Sequence, residues 1–166
     1  MKVATLSTVK TPEERTIMDA KPMYTGMTRT VGESMARSTT EAHAFKIFMD
    51  EPPELGGRNG APSPLDFILA AQGGCLSYMT FYVARELGIE VSSTEITVRG
   101  ALDPAKFSGT NREVRAGFQA IEVEIIIESN ASADQIARLR NEVKARCPVS
   151  DNLANPTPVR ITMSAR

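Results

Sequence analysis

Apolar and polar positions along this chain change their period several times, and each change marks an element. Residues 35–50 read as a strand, because His43, Phe45, Ile47 and Met49 share one parity, as a half-buried strand requires. Glu51-Pro52-Pro53-Glu54-Leu55-Gly56-Gly57-Arg58-Asn59-Gly60 is built from residues that break helix and strand alike, and reads as a loop. An almost unbroken apolar run follows. Ser63 stands as its N-cap, Pro64 at the first helical position and Asp66 three residues after the cap, which predicts a capping box and a helix to about Leu87, ended by Gly88. A helix apolar all round is expected to be covered on every side.

Two strands are predicted next. Residues 94–102 place Ile96 and Val98 on one face; residues 118–129 place Ile121, Val123, Ile125 and Ile127 inward against Glu122, Glu124 and Glu128 outward. The link over 103–117 is polar. Ser132 with Gln135 signals another capping box, opening a helix whose apolar stripe is Ile136, Leu139, Val143 and Cys147. Pro156 and Pro158 precede a final strand over 159–165. Strands, a long helix, two strands, a helix and a strand make an α+β fold. Residues 1–30 are polar, carry Pro12 and Pro22, and read as an arm with a short helix over 12–18; the folded domain is expected over 31–166.

Charge narrows the partners. With 23% charged residues, a net charge of −1 and scattered lysines and arginines, the chain offers no basic face for nucleic acid. The run over 65–83 is apolar enough to suggest a membrane span, but Asp66, Gln72, Ser77 and Thr80 interrupt it, so no membrane is expected. The first residues lack the apolar stretch of a signal peptide, and two cysteines without one point to a reducing cytoplasm.

Those cysteines, Cys75 and Cys147, carry the candidate chemistry. A thiol acts as a nucleophile only as thiolate, and an ordinary cysteine of pKa ~8.5 is mostly protonated at neutral pH. Cys75 lies too deep in its helix for the dipole to help and needs an imported cation, most plausibly an arginine. Cys147 ends a helix, where the dipole disfavours an anion; it is the poorer first nucleophile and the better resolving thiol. Inert burial on two apolar stripes, or a zinc site with His43, are the competing readings of the same residues.

The segment from Pro62-Ser63-Pro64-Leu65-Asp66 to Ala70-Ala71-Gln72-Gly73-Gly74-Cys75, together with Cys147-Pro148-Val149-Ser150, resembles the OsmC/Ohr family, and the preceding loop is similar to that of many OsmC-like proteins. The resemblance spans roughly 35–165. It implies intertwined homodimers with two central helices packed between curved sheets, and thiol-dependent reduction of organic hydroperoxides. By it, Cys75 resembles the peroxidatic cysteine and Cys147 the resolving one. A dithiol reductant, lipoyl-type in family members, would reset the pair, and no metal or organic cofactor is implied. The alternative is an OsmC-like stress-associated protein, or a binder of small hydrophobic ligands, that has lost the peroxidase geometry.

The family places a glutamate ten residues before the first cysteine; here that position is Leu65, and the nearest acid, Asp66, stands nine before. Nine residues amount to ~900° of helix, so Asp66 is expected to point away from Cys75 and to cap. Arg37 is the first candidate for the family's arginine, since an unbroken strand would give it the parity of Phe45 and Ile47; Arg29 is the second. His43, on the same apolar parity, is expected in the core or at a dimer interface.

Overall fold

The computed structural model describes residues 24–165; the helix expected over 12–18 lies outside them. The chain divides into two compact units between Ala61 and Pro62.

In the first unit, β1 (Thr28–Gly32), β2 (Ser38–Ala42) and β3 (Phe45–Met49) form an antiparallel sheet in that order. β1 begins inside the stretch read as an arm; Thr30 pairs with Thr40, their hydroxyls 2.7 Å apart, and Arg29 with Glu41. The single strand expected over 35–50 is a hairpin instead, reversing through His43 and Ala44 with His43 at φ 53°. A two-residue turn inverts parity between its arms: Thr40 faces Ile47 and Ser38 faces Met49, so Arg37 no longer shares the face of Phe45 and Ile47. His43 is accordingly exposed in the turn rather than in the core.

Asp50 closes this unit. It is 2% exposed, and its carboxylate accepts the amide protons of Glu51 (3.0 Å), Arg58 (3.2 Å) and Gly60 (2.9 Å). The loop it folds contains a single 3-10 turn, Pro53–Leu55. Gly57 is required there, because a Cβ would lie 1.7 Å from the Glu51 carbonyl oxygen.

The second unit is organised by α1 (Pro64–Leu87). Its predicted capping box is present: Asp66 N–H donates to Ser63 Oγ (3.2 Å), and Asp66 Oδ2 accepts from the Ser63 amide (2.9 Å). Gly88 ends the helix at φ 67°, in the left-handed region that a glycine adopts without strain. By length and composition α1 is apolar enough to cross a membrane, yet it is the core helix of this unit, packed on β4 (Ser93–Ala101), α2 (Ala133–Arg146) and α3 (Pro148–Ala154). Gln72, Leu76, Met79, Thr80, Val83 and Ala84 make its buried stripe at helical spacing. The opposite side is not covered by the described residues of this unit: Tyr78 is 65% exposed, and Phe81 and Tyr82 are also exposed.

β4 pairs with β5 (Ala120–Glu128), Ile96 opposite Ile125 and Val98 opposite Val123. Of the four β5 residues expected inward, Ile121 and Ile127 are half-buried while Val123 and Ile125 stay more open. The reason is placement: α1 lies along β4 and leaves much of β5 as an uncovered edge. α2 opens with the predicted Ser132–Gln135 capping box and buries Leu139 and Val143. α3 has no counterpart in the sequence reading. The final strand expected over 159–165 does not form among the described residues; Val159, Ile161 and Met163 stand exposed. Alternation states which face a strand would bury, but a strand also needs a neighbour's backbone to pair with.

Candidate active site: the Cys75–Cys147 pair

Two packing decisions create the site. Leu139 and Val143 seat α2 against Leu76, Met79 and Val83 of α1 in one apolar cluster that also contains Cys147. At the exposed edge of this contact, Arg146 holds Glu86 through two hydrogen bonds (2.5 and 3.2 Å) and lies 5.6 Å from the Tyr82 ring centre. Pro148 then starts α3 directly after Cys147, because its fixed φ and missing N–H suit a first helical position.

The outcome is a thiol pair. Cys147 Sγ lies 3.2 Å from Cys75 Sγ, both cysteines are free, and Cys147 is 1% exposed while Cys75 is half-buried. The hydrogen bond between them has the Cys147 thiol as donor and the Cys75 sulfur as acceptor. Cys147 both ends α2 and caps α3, so the Ser150 amide, 3.5 Å away, points at its sulfur. The expectation that a helix end would disfavour an anion at Cys147 is therefore corrected by a second helix that the sequence reading missed.

The electrostatics of the pair are unequal. Burial pushes the Cys75 thiol up and the neighbouring Cys147 adds to this, against a Val149 amide that favours the thiolate. Burial also raises Cys147, but the Ser150 hydroxyl and amide, the Cys75 thiol and the Val149 amide together outweigh it, and its pKa is lowered. Cys75 was expected to draw on an arginine; none of the groups that shift it is a cation.

Ser150 is itself held. Gln72 Nε2 donates to Ser150 Oγ at 2.7 Å, and Gln72 is 5% exposed, one turn of α1 before Cys75. Beside these two residues lies a cavity of about 390 Å³ lined by Ile68, Phe118, Ile121, Leu153 and Arg115, among others. Neither Gln72 nor Ser150 was singled out from the sequence. The available signal was their placement, Gln72 three residues before Cys75 and Ser150 three after Cys147.

The other candidates separate. Asp66 sits on the same helix as Cys75, about 13 Å away along its axis at 1.5 Å per residue, with its carboxylate occupied by the cap. Arg37 and Arg29 belong to the first unit, where Arg37 helps lower the Asp50 carboxyl and Arg29 lies 4.0 Å from Glu41. Among the described residues, no group of three His, Cys, Asp or Glu side chains gathers to hold a metal.

A helix-borne cysteine meeting a second one that opens Cys-Pro-Val-Ser is now a geometric fact, and the family model of OsmC-like proteins matches residues 57–162. The chain belongs to the OsmC-like family. The fold agrees. An OsmC-like protein from Mycoplasma pneumoniae is similar with a TM-score of 0.70 at 20% identity, over 80% of this chain and 89% of that one. An organic hydroperoxide resistance protein OsmC from Legionella pneumophila gives 0.60 at 20% identity, covering 80% and 91%. A putative organic hydroperoxide resistance protein from Vibrio cholerae gives 0.61 at 18%, covering 81% and 88%. No match is found among curated proteins. Such identities make this OsmC-like chain a divergent member whose fold is shared.

Proposed function

We propose that this OsmC-like protein is a thiol-dependent peroxidase that reduces organic hydroperoxides in the cytoplasm. The observation that carries the reading is the 3.2 Å approach of Cys75 and Cys147 sulfurs in an OsmC-like fold. Exposure supports the assignment of roles: Cys75 is half-buried, the more open of the two residues, and Cys147 is enclosed. The Cys75 sulfur attacks the distal oxygen of R–O–O–H, the O–O bond breaks, and the alkoxide leaves as alcohol after taking a proton. Cys75 is left as sulfenic acid. Cys147 attacks the Cys75 sulfur, the S–S bond forms, and the hydroxyl departs with a proton as water. A dithiol then reduces the disulfide by exchange.

Arg37 remains the candidate cation of the peroxide step in this reading, and Asp66 is retained only as the cap that fixes the start of α1. A homodimer is supported by the uncovered side of α1, where Tyr78 and Tyr82 stack with ring centres 5.8 Å apart, and by the exposed alternation of Val159, Ile161 and Met163. A binding protein without efficient turnover is the second reading. Leu65 in place of the family's glutamate and the raised Cys75 pKa favour it.

The test is reduction of cumene hydroperoxide with a dithiol reductant. Wild type should turn over and Cys75→Ser should not; equal rates overturn the peroxidase reading.

A further inference from the structure

We propose that Gln72 is a positioning residue for disulfide closure between Cys75 and Cys147: its bond to Ser150 pins α3 to α1 and so keeps Cys147 within reach of Cys75. The inference deepens the peroxidase reading and rests on it for the catalytic consequence, but its first test does not.

Gln72 breaks the pattern of its own helix. It shares the buried stripe of α1 with Leu76, Met79 and Val83, and it is 5% exposed. Its Oε1 is buried and has no hydrogen-bond partner among the described residues. A carbonyl oxygen that has lost water and gained no partner is destabilising, and a leucine in the same place would carry no such group. A polar side chain kept in an apolar stripe against that penalty points to a role outside the stripe. The other half of the amide carries it: Nε2 donates to Ser150 Oγ at 2.7 Å.

α3 needs such a tie. It has seven residues, too few for a helix to hold by itself, and none of them is fully buried; Val149 and Leu153 are half-buried. Among the described residues, the bond from Gln72 to Ser150 is the one hydrogen bond between α1 and α3. It lands beside the thiols. The Ser150 amide donates to Cys147 Sγ at 3.5 Å, and the Cys147 thiol donates to Cys75 Sγ at 3.2 Å. Gln72 stands three residues before Cys75, on the same side of α1. These contacts close a circuit through α1, α3, Cys147 and Cys75, and removing the Gln72 bond opens it.

The consequence is one of freedom. In the resolving step the Cys147 thiol attacks Cys75–S–OH, the S–S bond forms, and the thiol proton leaves with the hydroxyl as water. Groups already held in place lose less freedom when the bond forms. Without the Gln72 bond the reduced chain has more to lose on closure, whereas the oxidised chain is held by the S–S bond itself.

The first test is the reduction potential of the pair, from equilibration of the full chain in glutathione buffers and trapping of free thiols, which requires no peroxide. Gln72→Leu should lower the equilibrium constant for closure about tenfold, a rise of about 30 mV in potential. Ser150→Ala should match it, and Ser150→Thr, which keeps the hydroxyl, should stay at the wild-type value. The double variant Gln72→Leu/Ser150→Ala should shift no further than either single one, because both remove the same bond. Reduced Gln72→Leu should unfold at the same denaturant concentration as wild type or at a higher one, since leucine suits the stripe. A potential unmoved in both single variants, effects that add in the double variant, or a lower unfolding midpoint for reduced Gln72→Leu each overturns the inference. With cumene hydroperoxide, Gln72→Leu should lengthen the lifetime of the Cys75 sulfenate about tenfold without slowing its formation. Equal slowing of both steps overturns the positioning role. If wild type forms no sulfenate, the peroxidase reading fails while the potential still decides the role of Gln72.

Discussion

Cys147 Sγ stands 3.2 Å from Cys75 Sγ because two helices are bolted together on either side of the contact, by Leu139 and Val143 within and by Arg146 on Glu86 outside. The thiols meet only through that packing. Their chemistry is therefore sensitive to residues that never touch a sulfur.

Mild oxidation of the reduced protein should close a Cys75–Cys147 disulfide with little rearrangement. Mass spectrometry should find the loss of two hydrogens in the intact chain and a linked pair of peptides after digestion. Two thiols that stay free under an excess of diamide would contradict the geometry.

Leu139 is 3% exposed at the centre of the α1–α2 contact. Leu139→Ala should cost about 2–5 kcal/mol through lost burial and the cavity left behind. Chemical denaturation measures that loss. Disulfide closure in the same variant should be slower, since α2 carries Cys147.

Asp50 tests the first unit. Amide hydrogen bonds, that of Gly60 foremost and outweighing burial, with a contribution from Arg37, hold its carboxyl below the usual value of 3.8. A lowered folded pKa means that its stabilisation is present above the unfolded value and is lost as pH falls through the lowered one. Unfolding midpoints of wild type and Asp50→Asn should therefore differ at neutral pH and converge in acid. A difference independent of pH would mean that the charge contributes nothing.

The Arg146–Glu86 bridge is partly exposed, with side chains 37% and 42% accessible. Glu86→Gln should cost no more than about 1 kcal/mol at low salt and less still at high salt, where the surface pair is screened. Thermal melts at two ionic strengths give the comparison.

Much of the local structure was legible in the residues. Ser63 with Asp66, Ser132 with Gln135, Pro64 and Gly88 mark helix ends by interactions made within a turn, so the sequence alone places them. The α2 stripe followed from its spacing for the same reason, and so did the family, from the segments around the two cysteines. What failed were decisions between segments. The reversal at His43 inverted the face assigned to Arg37, and the alternating run over 159–165 has no strand partner among the described residues. Hydrophobic pattern records which side of an element prefers burial; it does not record where the chain turns back or what lies across from it.

The sequence by itself determined α1 and α2, their N-caps and the two thiols, because capping and periodicity are set by neighbours a few residues away. Only the tertiary structure decided that the thiols meet, that Cys147 caps α3, and that Gln72 reaches Ser150 across 78 positions of chain. Those contacts depend on how helices pack, and packing sums many weak apolar contacts over the whole unit, which no short window of sequence contains.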